Sequence, residues 1–233
     1  KKCKILCVVQ SRYSSKRLPG KALQKICDQT ILERVLNRLR FCQNINRLVV
    51  ATSQDESDDS IKTHCDEMGV CVYRGSLENV VERILECGKN FNAEAIVRIS
   101  GDSPLIDPDL VDELIAIFME GDYDLVTNVQ IRSFPKGQSV EIIKTSKLAH
   151  VAQKIEKLED LEHVTSFIYQ HPNLLDIKNR EAESDFSKVQ LSVDTPKDRE
   201  LIEKMILLGG ERLNWMEAAN LYHGLVGGDS SVG

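Results

Sequence analysis

Apolar and polar residues alternate in blocks along the first half of the chain, as they do where strands and helices follow one another. Four short apolar runs predict strands, at residues 4–10, 47–52, 70–73 and 93–99. Four stretches with apolar residues at helical spacing predict helices, at residues 30–42, 58–68, 77–90 and from 107 onward. Such an alternation favours an α/β fold with a mostly parallel, Rossmann-like sheet that carries helices on both faces.

The pattern is less regular in the second half of the chain. It predicts strands at 124–128, 140–144 and 188–193 and helices at 146–158, 161–171 and 197–208. No repeat or linker divides the sequence, so we expect one domain over residues 1–233, with a small accessory α+β lobe near 129–187. Because that stretch breaks the alternation, we expect that the sheet is complete without its strands. The glycine- and serine-rich residues 224–233 predict a flexible tail.

Composition excludes several classes of protein. A hydrophobic content of 42% and a charged content of 28% are typical of globular proteins. The net charge of −6 argues against nucleic-acid binding, which needs a broad basic face, and no apolar run approaches the roughly 18 residues of a membrane span. Seven cysteines without a Cys-x-x-Cys pair indicate buried thiols, neither a zinc site nor a set of disulfides, and favour a cytoplasmic location.

The segment after the first predicted strand has an unusual charge. Residues 10–21 read Gln-Ser-Arg-Tyr-Ser-Ser-Lys-Arg-Leu-Pro-Gly-Lys, and the first 27 residues contain eight Lys or Arg and no acid. Ligands bind beyond the carboxyl ends of parallel strands, so cations, hydroxyls and a glycine at this place predict a site for a polyphosphate. The alternative is a solvated basic loop.

Five motifs follow one another along the chain. They are Arg-x-x-Ser-x-Arg-Leu-Pro-Gly-Lys at 12–21, Arg-Ile-Ser-Gly-Asp-Ser-Pro-Leu-Ile at 98–106, Phe-Pro-Lys-Gly at 134–137 leading into Val140-Glu141, Glu-His-Val-Thr at 162–165 and Ser-Val-Asp-Thr-Pro at 192–196. In this order they resemble the motifs of the sugar cytidylyltransferases, which include spore-coat polysaccharide cytidylyltransferases, acylneuraminate cytidylyltransferases and CMP-Kdo synthetases. The resemblance implies a fold of the nucleotide-diphospho-sugar transferase type. It also implies that CMP is transferred from CTP to a sugar hydroxyl, with release of pyrophosphate.

The resemblance implies roles for individual residues. Catalytic roles fall on Arg12, Lys21, Asp102 and Asp194. The expected nucleotide contacts are Gln10, Arg12, Ser14, Ser15, Arg17, Gly20, Lys21, Arg83 and Asp102. Asp102 and Asp194 each end a predicted strand and are the expected ligands of Mg²⁺, which usually takes one or two carboxylates and completes its shell with phosphate and water. Taken singly, the first could be a turn residue and the second a helix N-cap.

The sugar end of the site is less clear from the sequence. Glu141, Glu162 and His163 match positions near the acceptor or the subunit contact, and an acidic sugar for surface polysaccharide is the expected acceptor. Arg98 is either a site residue or a salt-bridge partner at a strand end. The sequence has Asn79, Glu82 and Ser139 at positions where related enzymes commonly have Asp.

Apolar positions within 129–187 predict a homodimer formed through that segment. Three alternatives to the expected activity stay open. They are a nucleotidyltransferase that uses another base or sugar, a glycosyltransferase of the same architecture, and a nucleotide-binding relative without activity.

Overall fold

A computed structural model describes residues 3–14, 18–162 and 164–228 of the chain. The strands in this part are β1 (Ile5–Gln10), β2 (Lys25–Ile26), β3 (Gln29–Thr30), β4 (Arg47–Ser53), β5 (Cys71–Gly75), β6 (Ala95–Ser100), β7 (Leu125–Thr127), β8 (Glu141–Lys144) and β9 (Ile177–Asn179). The helices are α1 (Ile31–Leu39), α2 (Asp59–Glu67), α3 (Val80–Asn90), α4 (Pro108–Glu120), α5 (Thr145–Ala152), α6 (Leu158–Glu162), α7 (Ser166–Gln170), α8 (Pro196–Gly209) and α9 (Trp215–Gly228).

The main sheet has seven strands in the order β5-β4-β1-β6-β8-β7-β9, and β2 and β3 form a separate small ribbon. Strands β5, β4, β1 and β6 pair in parallel, in the order that is typical of half a Rossmann-like sheet. Strand β8 is antiparallel to its neighbours β6 and β7, and β9 is parallel to β7. The predicted fold class, a mostly parallel α/β sheet, is confirmed.

Buried side chains cover both faces of the sheet. On one face, Val9 and Ile99 pack with Leu36 of α1 and Leu114 of α4. On the other face, strand residues pack with α3, α5 and α7. Both layers leave the carboxyl ends of β1, β4 and β6 at one edge, where the register pairs Gln10 with Ala51 and Ser100. The loops that leave this edge carry the residues of the candidate site.

Two strands of the segment 129–187 belong to the main sheet. Strand β8 lies between β6 and β7, and β9 forms the edge beyond β7. The expectation that the sheet is complete without this segment is therefore wrong. The chain leaves the alternation because β8 enters as an antiparallel strand, and this needs no crossover helix.

Other differences from the predictions have local causes. Residues 188–193 form only an isolated bridge between Lys136 and Gln190, and the helix predicted over 161–171 is divided into α6 and α7. Helix α9 was not predicted and includes residues 224–228 of the expected tail. It is held by tertiary contacts, since Ala218 and Ala219 are fully buried and Trp215 packs against Phe134 with ring centroids 4.9 Å apart.

Candidate active site

Lys21 lies between two carboxylates that come from distant parts of the chain. Its Nζ atom donates hydrogen bonds to Asp102 Oδ2 at 2.7 Å, to the Val193 carbonyl at 2.8 Å and to Asp194 Oδ1 at 3.2 Å. We call Lys21, Asp102 and Asp194 the carboxylate–lysine cluster. The structure thus brings together three of the four residues to which the resemblance gives catalytic roles, with one ammonium group facing two carboxylates.

Backbone hydrogen bonds fix the positions of both carboxylates. The Gly101 N–H donates to the Gln10 carbonyl at 2.8 Å, where β6 ends beside β1. The Val193 N–H donates to the Asp102 carbonyl at 2.9 Å. The segment that leads to Asp194 is therefore tied to the end of β6, which explains why two aspartates 92 positions apart in the sequence face one lysine.

Asp194 is not the N-cap of the helix that follows it. Thr195 is the N-cap of α8, and it forms a capping box with Asp198 while Pro196 occupies the first turn. The Asp198 carboxylate also accepts the Asp194 N–H at 3.0 Å. The capping alternative for Asp194 is thus excluded, and its carboxylate faces Lys21 instead.

A glycine turn orients Lys21. Gly20 has φ = +66°, in the left-handed region that favours glycine, and its N–H donates to the Tyr13 carbonyl at 2.9 Å. A Cβ atom at this position would lie 2.9 Å from the Tyr13 ring. At the other end of the loop, the buried Asp58 accepts the Tyr13 N–H at 2.6 Å and the Ser53 N–H at 2.8 Å. Sequence reasoning did not identify Asp58, which carries no motif.

Arg12 pairs with Glu162, the last residue of α6. The distance between Arg12 Nη2 and Glu162 Oε1 is 2.5 Å, and the two side chains are 30% and 40% exposed. Glu162 was expected near the sugar, and the structure puts it beside the basic loop. A ligand phosphate at Arg12 would therefore compete with a carboxylate that already pairs with this guanidinium.

Glu141 is the centre of a buried polar network. Its Oε2 atom accepts from Arg98 Nε at 2.7 Å, and its Oε1 atom accepts from the Thr165 hydroxyl and from the Tyr169 hydroxyl, the latter at 2.6 Å. Burial raises the pKa of Glu141, but Arg98 and the two hydroxyls lower it more, so the carboxyl stays ionised. Arg98 also donates to Gln10 Oε1 at 3.0 Å, at the start of the basic loop.

This network changes the interpretation of two predicted residues. Glu141 is 2% exposed and both of its carboxylate oxygens accept hydrogen bonds within the protein, so its contact with a sugar stays a prediction. It forms an ion pair with Arg98. Arg98 is thus a salt-bridge partner at a strand end, and its role as a site residue stays a prediction.

Arg83 is fully buried one turn into α3. Its Nη1 atom donates to the Ser76 carbonyl at 2.5 Å, while Nε and Nη2 have no hydrogen-bond partner among the described residues. Burial lowers the pKa of Arg83 to about 10, and the nearby charge of Arg12 adds to this shift. Arg83 therefore anchors the loop before α3, and it retains unused hydrogen-bonding capacity close to Arg12.

The remaining predicted residues have simpler positions. Ser14 is an exposed residue of the basic loop, whereas Ser15, Arg17 and His163 lie outside the described residues. Asn79 is the N-cap of α3 and accepts the Glu82 N–H at 2.9 Å. Asparagine and aspartate cap helices about equally well, so this departure from the usual pattern keeps its structural function.

Sequence reasoning missed Tyr169 and Arg132, which line the same polar region. Tyr169 follows Thr165 by one helical turn, and this spacing after the Glu-His-Val-Thr motif was a usable signal. Arg132 donates to the Ser139 hydroxyl at 3.1 Å. It carries no motif of its own, and only the fold brings it close to Glu141.

The described residues lack a membrane-spanning helix and a cluster of metal ligands. They contain no helix that combines the length and the apolar character needed to span a membrane. In the same part of the chain, His, Cys, Asp and Glu side chains do not assemble in groups of three or more that could hold a metal ion.

The sheet order and the loops at its carboxyl edge define a nucleotide-diphospho-sugar transferase-like α/β fold. Residues 6–222 match the profile of the family described as cytidylyltransferase. The chain therefore belongs to the cytidylyltransferase family, and the predicted enzyme class is confirmed.

Individual relatives agree with this assignment. The spore coat polysaccharide biosynthesis protein SpsF of Bacillus subtilis (strain 168) is 35% identical over 218 residues, which cover 89% of this chain and 88% of that protein. The solved structure of a cytidylyltransferase from Leptospira borgpetersenii serovar Hardjo-bovis superposes with a TM-score of 0.91 at 29% identity, covering 98% of this chain and 96% of the other. A CMP:2-keto-3-deoxy-manno-octonic acid synthetase, solved in complex with CTP, shares the fold with a TM-score of 0.69 at 17% identity, covering 88% of this chain and 99% of that one.

Proposed function

We propose that this protein transfers CMP from CTP to a sugar hydroxyl and releases pyrophosphate. The observation that carries the proposal is the carboxylate–lysine cluster at the carboxyl edge of the sheet, directly after the basic loop. Family membership supports the nucleotidyl transfer, and the structure of a relative of the same fold was solved with CTP.

In the proposed reaction the sugar oxygen attacks the α-phosphorus of CTP. The new bond forms as the bond from the α-phosphorus to the bridging oxygen of pyrophosphate breaks, and the proton of the sugar hydroxyl passes to water. Negative charge increases on the phosphate oxygens, so cations fixed beforehand lower the barrier. Lys21 and Arg12 are the proposed contacts of the triphosphate, with Arg17, Ser14 and Ser15 as further donors. Gly20 allows the backbone to come close.

The chemistry of the two carboxylates fits a magnesium ion. Asp102 and Asp194 are close enough to share one ammonium group, and Mg²⁺ commonly binds one or two carboxylates together with substrate phosphates. When bound, the ion would offset charge on the phosphate oxygens. The proposed ligands of the ion are these two aspartates. In this structure the Lys21 ammonium group offsets their charge.

The proposed acceptor is an acidic sugar that serves as a precursor of surface polysaccharide. The similarity to the spore coat polysaccharide protein SpsF supports a role in polysaccharide synthesis. Proximity of Glu162 to the basic loop is consistent with an acceptor pocket near α6. Because CTP is an intracellular metabolite, we also propose that the protein acts in the cytoplasm.

A panel of nucleoside triphosphates tests the proposed function. The expected result is that CTP with Mg²⁺ raises the thermal unfolding midpoint most, and that pyrophosphate release requires both CTP and a sugar acid. Preference for another triphosphate would show a different nucleotidyltransferase. Binding of CTP without turnover across many sugar acids would show a relative without activity, and transfer from a nucleotide sugar would show a glycosyltransferase.

Replacement of Arg83 by methionine separates a binding role from a purely structural one. A buried guanidinium with two unpaired nitrogens is costly, so an apolar side chain of similar size should leave the unfolding midpoint unchanged or raise it. The loop at Ser76 loses its anchor, and we expect the affinity for CTP to fall about tenfold. Calorimetry measures the affinity, with the exposed Arg47→Met as control. Clear destabilisation with normal CTP affinity would contradict the proposed role.

We also propose a homodimer formed through residues 129–187. Within one protomer, Phe134, Ile142, Ile143, Val164 and Ile168 are already buried, so fewer apolar residues remain for a partner than the sequence suggested. Ile131 and Leu158 are 56% and 78% exposed and are the proposed contacts. If the segment pairs in this way, Glu162 and His163 are the residues proposed for the dimer interface. Each protomer would then help to close the sugar pocket of the other.

Light scattering at micromolar concentration is expected to give twice the chain mass of 26.3 kDa. The double variant Ile131→Glu, Leu158→Glu should shift the protein towards the monomer, since charged residues oppose burial of this surface. The matched control is Phe41→Glu, because Phe41 is an exposed apolar residue just after α1, outside the 129–187 segment. A fully active monomer of the parent protein would contradict both the dimer and the shared pocket.

A further inference from the structure

The Arg132 guanidinium has little of its hydrogen-bonding capacity satisfied within the protein. Its Nη2 atom donates to the Ser139 hydroxyl at 3.1 Å. Arginine offers five N–H donors, and among the described residues this hydroxyl is the single acceptor that Arg132 reaches. The ion pairs within the same part of the chain do not include Arg132 either. A partly buried cation in this state can gain strongly from an external anion.

The carboxylate that attracts Arg132, that of Glu141, already accepts hydrogen bonds from other residues. Glu141 attracts Arg132, but its Oε2 atom accepts from Arg98 and its Oε1 atom accepts from two hydroxyls. Arg98 and Arg132 therefore share one carboxylate, and the polar region at the start of β8 carries one positive charge in excess. Burial also lowers the pKa of Arg132, as expected for a cation whose solvation is not fully replaced.

This excess charge lies beside the proposed transfer site. Arg98 bridges from Glu141 to Gln10, the residue at which β1 ends and the basic loop begins. On the other side, the 132–139 segment continues to Lys136, which pairs with Gln190, and the Gln190 side chain lies 3.5 Å from Asp194 Oδ2. The polar region around Arg132 is thus linked through Arg98 to Gln10, and the segment that follows Arg132 is linked through Gln190 to Asp194.

Ser139 orients the Arg132 guanidinium without neutralising it. The Ser139 hydroxyl accepts one hydrogen bond from Arg132 and has no charge, so the cation remains available to a ligand. A carboxylate in the same place would orient the guanidinium and also cancel its charge. The residue at position 139 therefore determines whether Arg132 can pair with an external anion.

We propose that Arg132, oriented by Ser139, binds the carboxylate of the acceptor sugar and so makes the enzyme selective for acidic sugars. This inference rests on the proposed function. A single carboxylate matches the single excess charge, whereas a sugar phosphate would bring a second negative charge that Arg98 is not available to offset. The planar guanidinium can hold a carboxylate through two parallel hydrogen bonds, which fixes the orientation of the sugar.

The test compares sugar acids with their neutral methyl esters. N-acetylneuraminate and Kdo are the probes, each offered as acid and as ester to the protein with CTP and Mg²⁺. Arg132→Gln is expected to raise the KM for the acid about 10- to 100-fold with a small change in kcat, and to leave the weak response to the ester unchanged. Arg132→Lys, which keeps the charge but loses the planar fork, should fall in between. Ser139→Asp should behave like Arg132→Gln, because it neutralises Arg132 in place.

Two controls keep this result separate from the proposed function. Arg47→Gln removes an exposed guanidinium at the opposite edge of the sheet, and its KM for the acid should equal that of the parent protein. Calorimetric binding of CTP without sugar should be the same in the parent and in all variants. If the parent protein neither binds CTP nor turns it over, the result would contradict the proposed function itself.

With CTP bound normally, three results would overturn the role of Arg132 alone. The first is a parent protein that binds the ester as tightly as the acid, measured by calorimetry in the presence of CTP. The second is a preference for a neutral sugar or a sugar phosphate. The third is a Ser139→Asp variant that keeps the parent's KM for the acid.

Discussion

Replacement of Lys21 by alanine is expected to reduce pyrophosphate release from CTP by about 100-fold or more, because the variant lacks a cation fixed where charge develops in the transition state. The structure gives this ammonium group three acceptors, two of them the carboxylates of Asp102 and Asp194, so its position is well defined. The measurement is single-turnover pyrophosphate release at saturating CTP.

The same substitution should change the response of the protein to metal. Without Lys21, the two carboxylates face one another without an ammonium group between them, and like charges in close contact are unfavourable. We therefore expect Mg²⁺ alone to raise the unfolding midpoint of Lys21→Ala more than that of the parent protein. Lys25→Ala, four residues further along the same basic segment and exposed, is the matched control. Normal turnover in a folded Lys21→Ala protein would contradict the proposed catalytic role of Lys21.

Asparagine in place of either Asp102 or Asp194 is expected to abolish most of the metal-dependent activity. The substitution keeps the size of the side chain and removes its charge, so Mg²⁺ affinity should fall at least tenfold and turnover about 100-fold. Binding of Mn²⁺ in the presence of CTP, followed by electron paramagnetic resonance, reports the affinity without relying on activity.

The fold should survive both aspartate substitutions, since the backbone hydrogen bonds around these residues do not use their carboxylates. Asp66→Asn, which affects a surface ion pair with Lys62, is a control for loss of an aspartate elsewhere. If both asparagine variants bind metal and turn over like the parent protein, Asp102 and Asp194 are turn residues and the metal site lies elsewhere.

Local signals in the sequence were sufficient for the first half of the fold. Each apolar run there is a strand between helices that cover it, and caps such as Thr30 with Glu33 and Asp107 with Pro108 fix helix starts through contacts within four residues. Motif order was sufficient to select Lys21, Asp102 and Asp194. The sequence could not show that Thr195 and Asp198 cap α8, which left Asp194 with two possible roles.

The second half depends on partners that are distant along the chain. Strand β8 is short, and its place in the sheet comes from pairing with β6 and β7. Helix α9 has a weak pattern of its own and is stabilised by packing of the half-buried Trp215 against Phe134 and Phe186. Neither feature is encoded within a window that periodicity can read.

Residue types and their order by themselves determined the family and the α/β class. They also pointed to the basic loop and to two distant aspartates, Asp102 and Asp194. Tertiary structure alone decided how the polar residues divide their hydrogen bonds. Glu141 meets its partners Thr165, Tyr169 and Arg98 at separations of 24, 28 and 43 residues, and these contacts occupy both of its carboxylate oxygens. The physical reason is that a buried charge must be paired, and the pairing depends on which strands and helices meet in the folded protein.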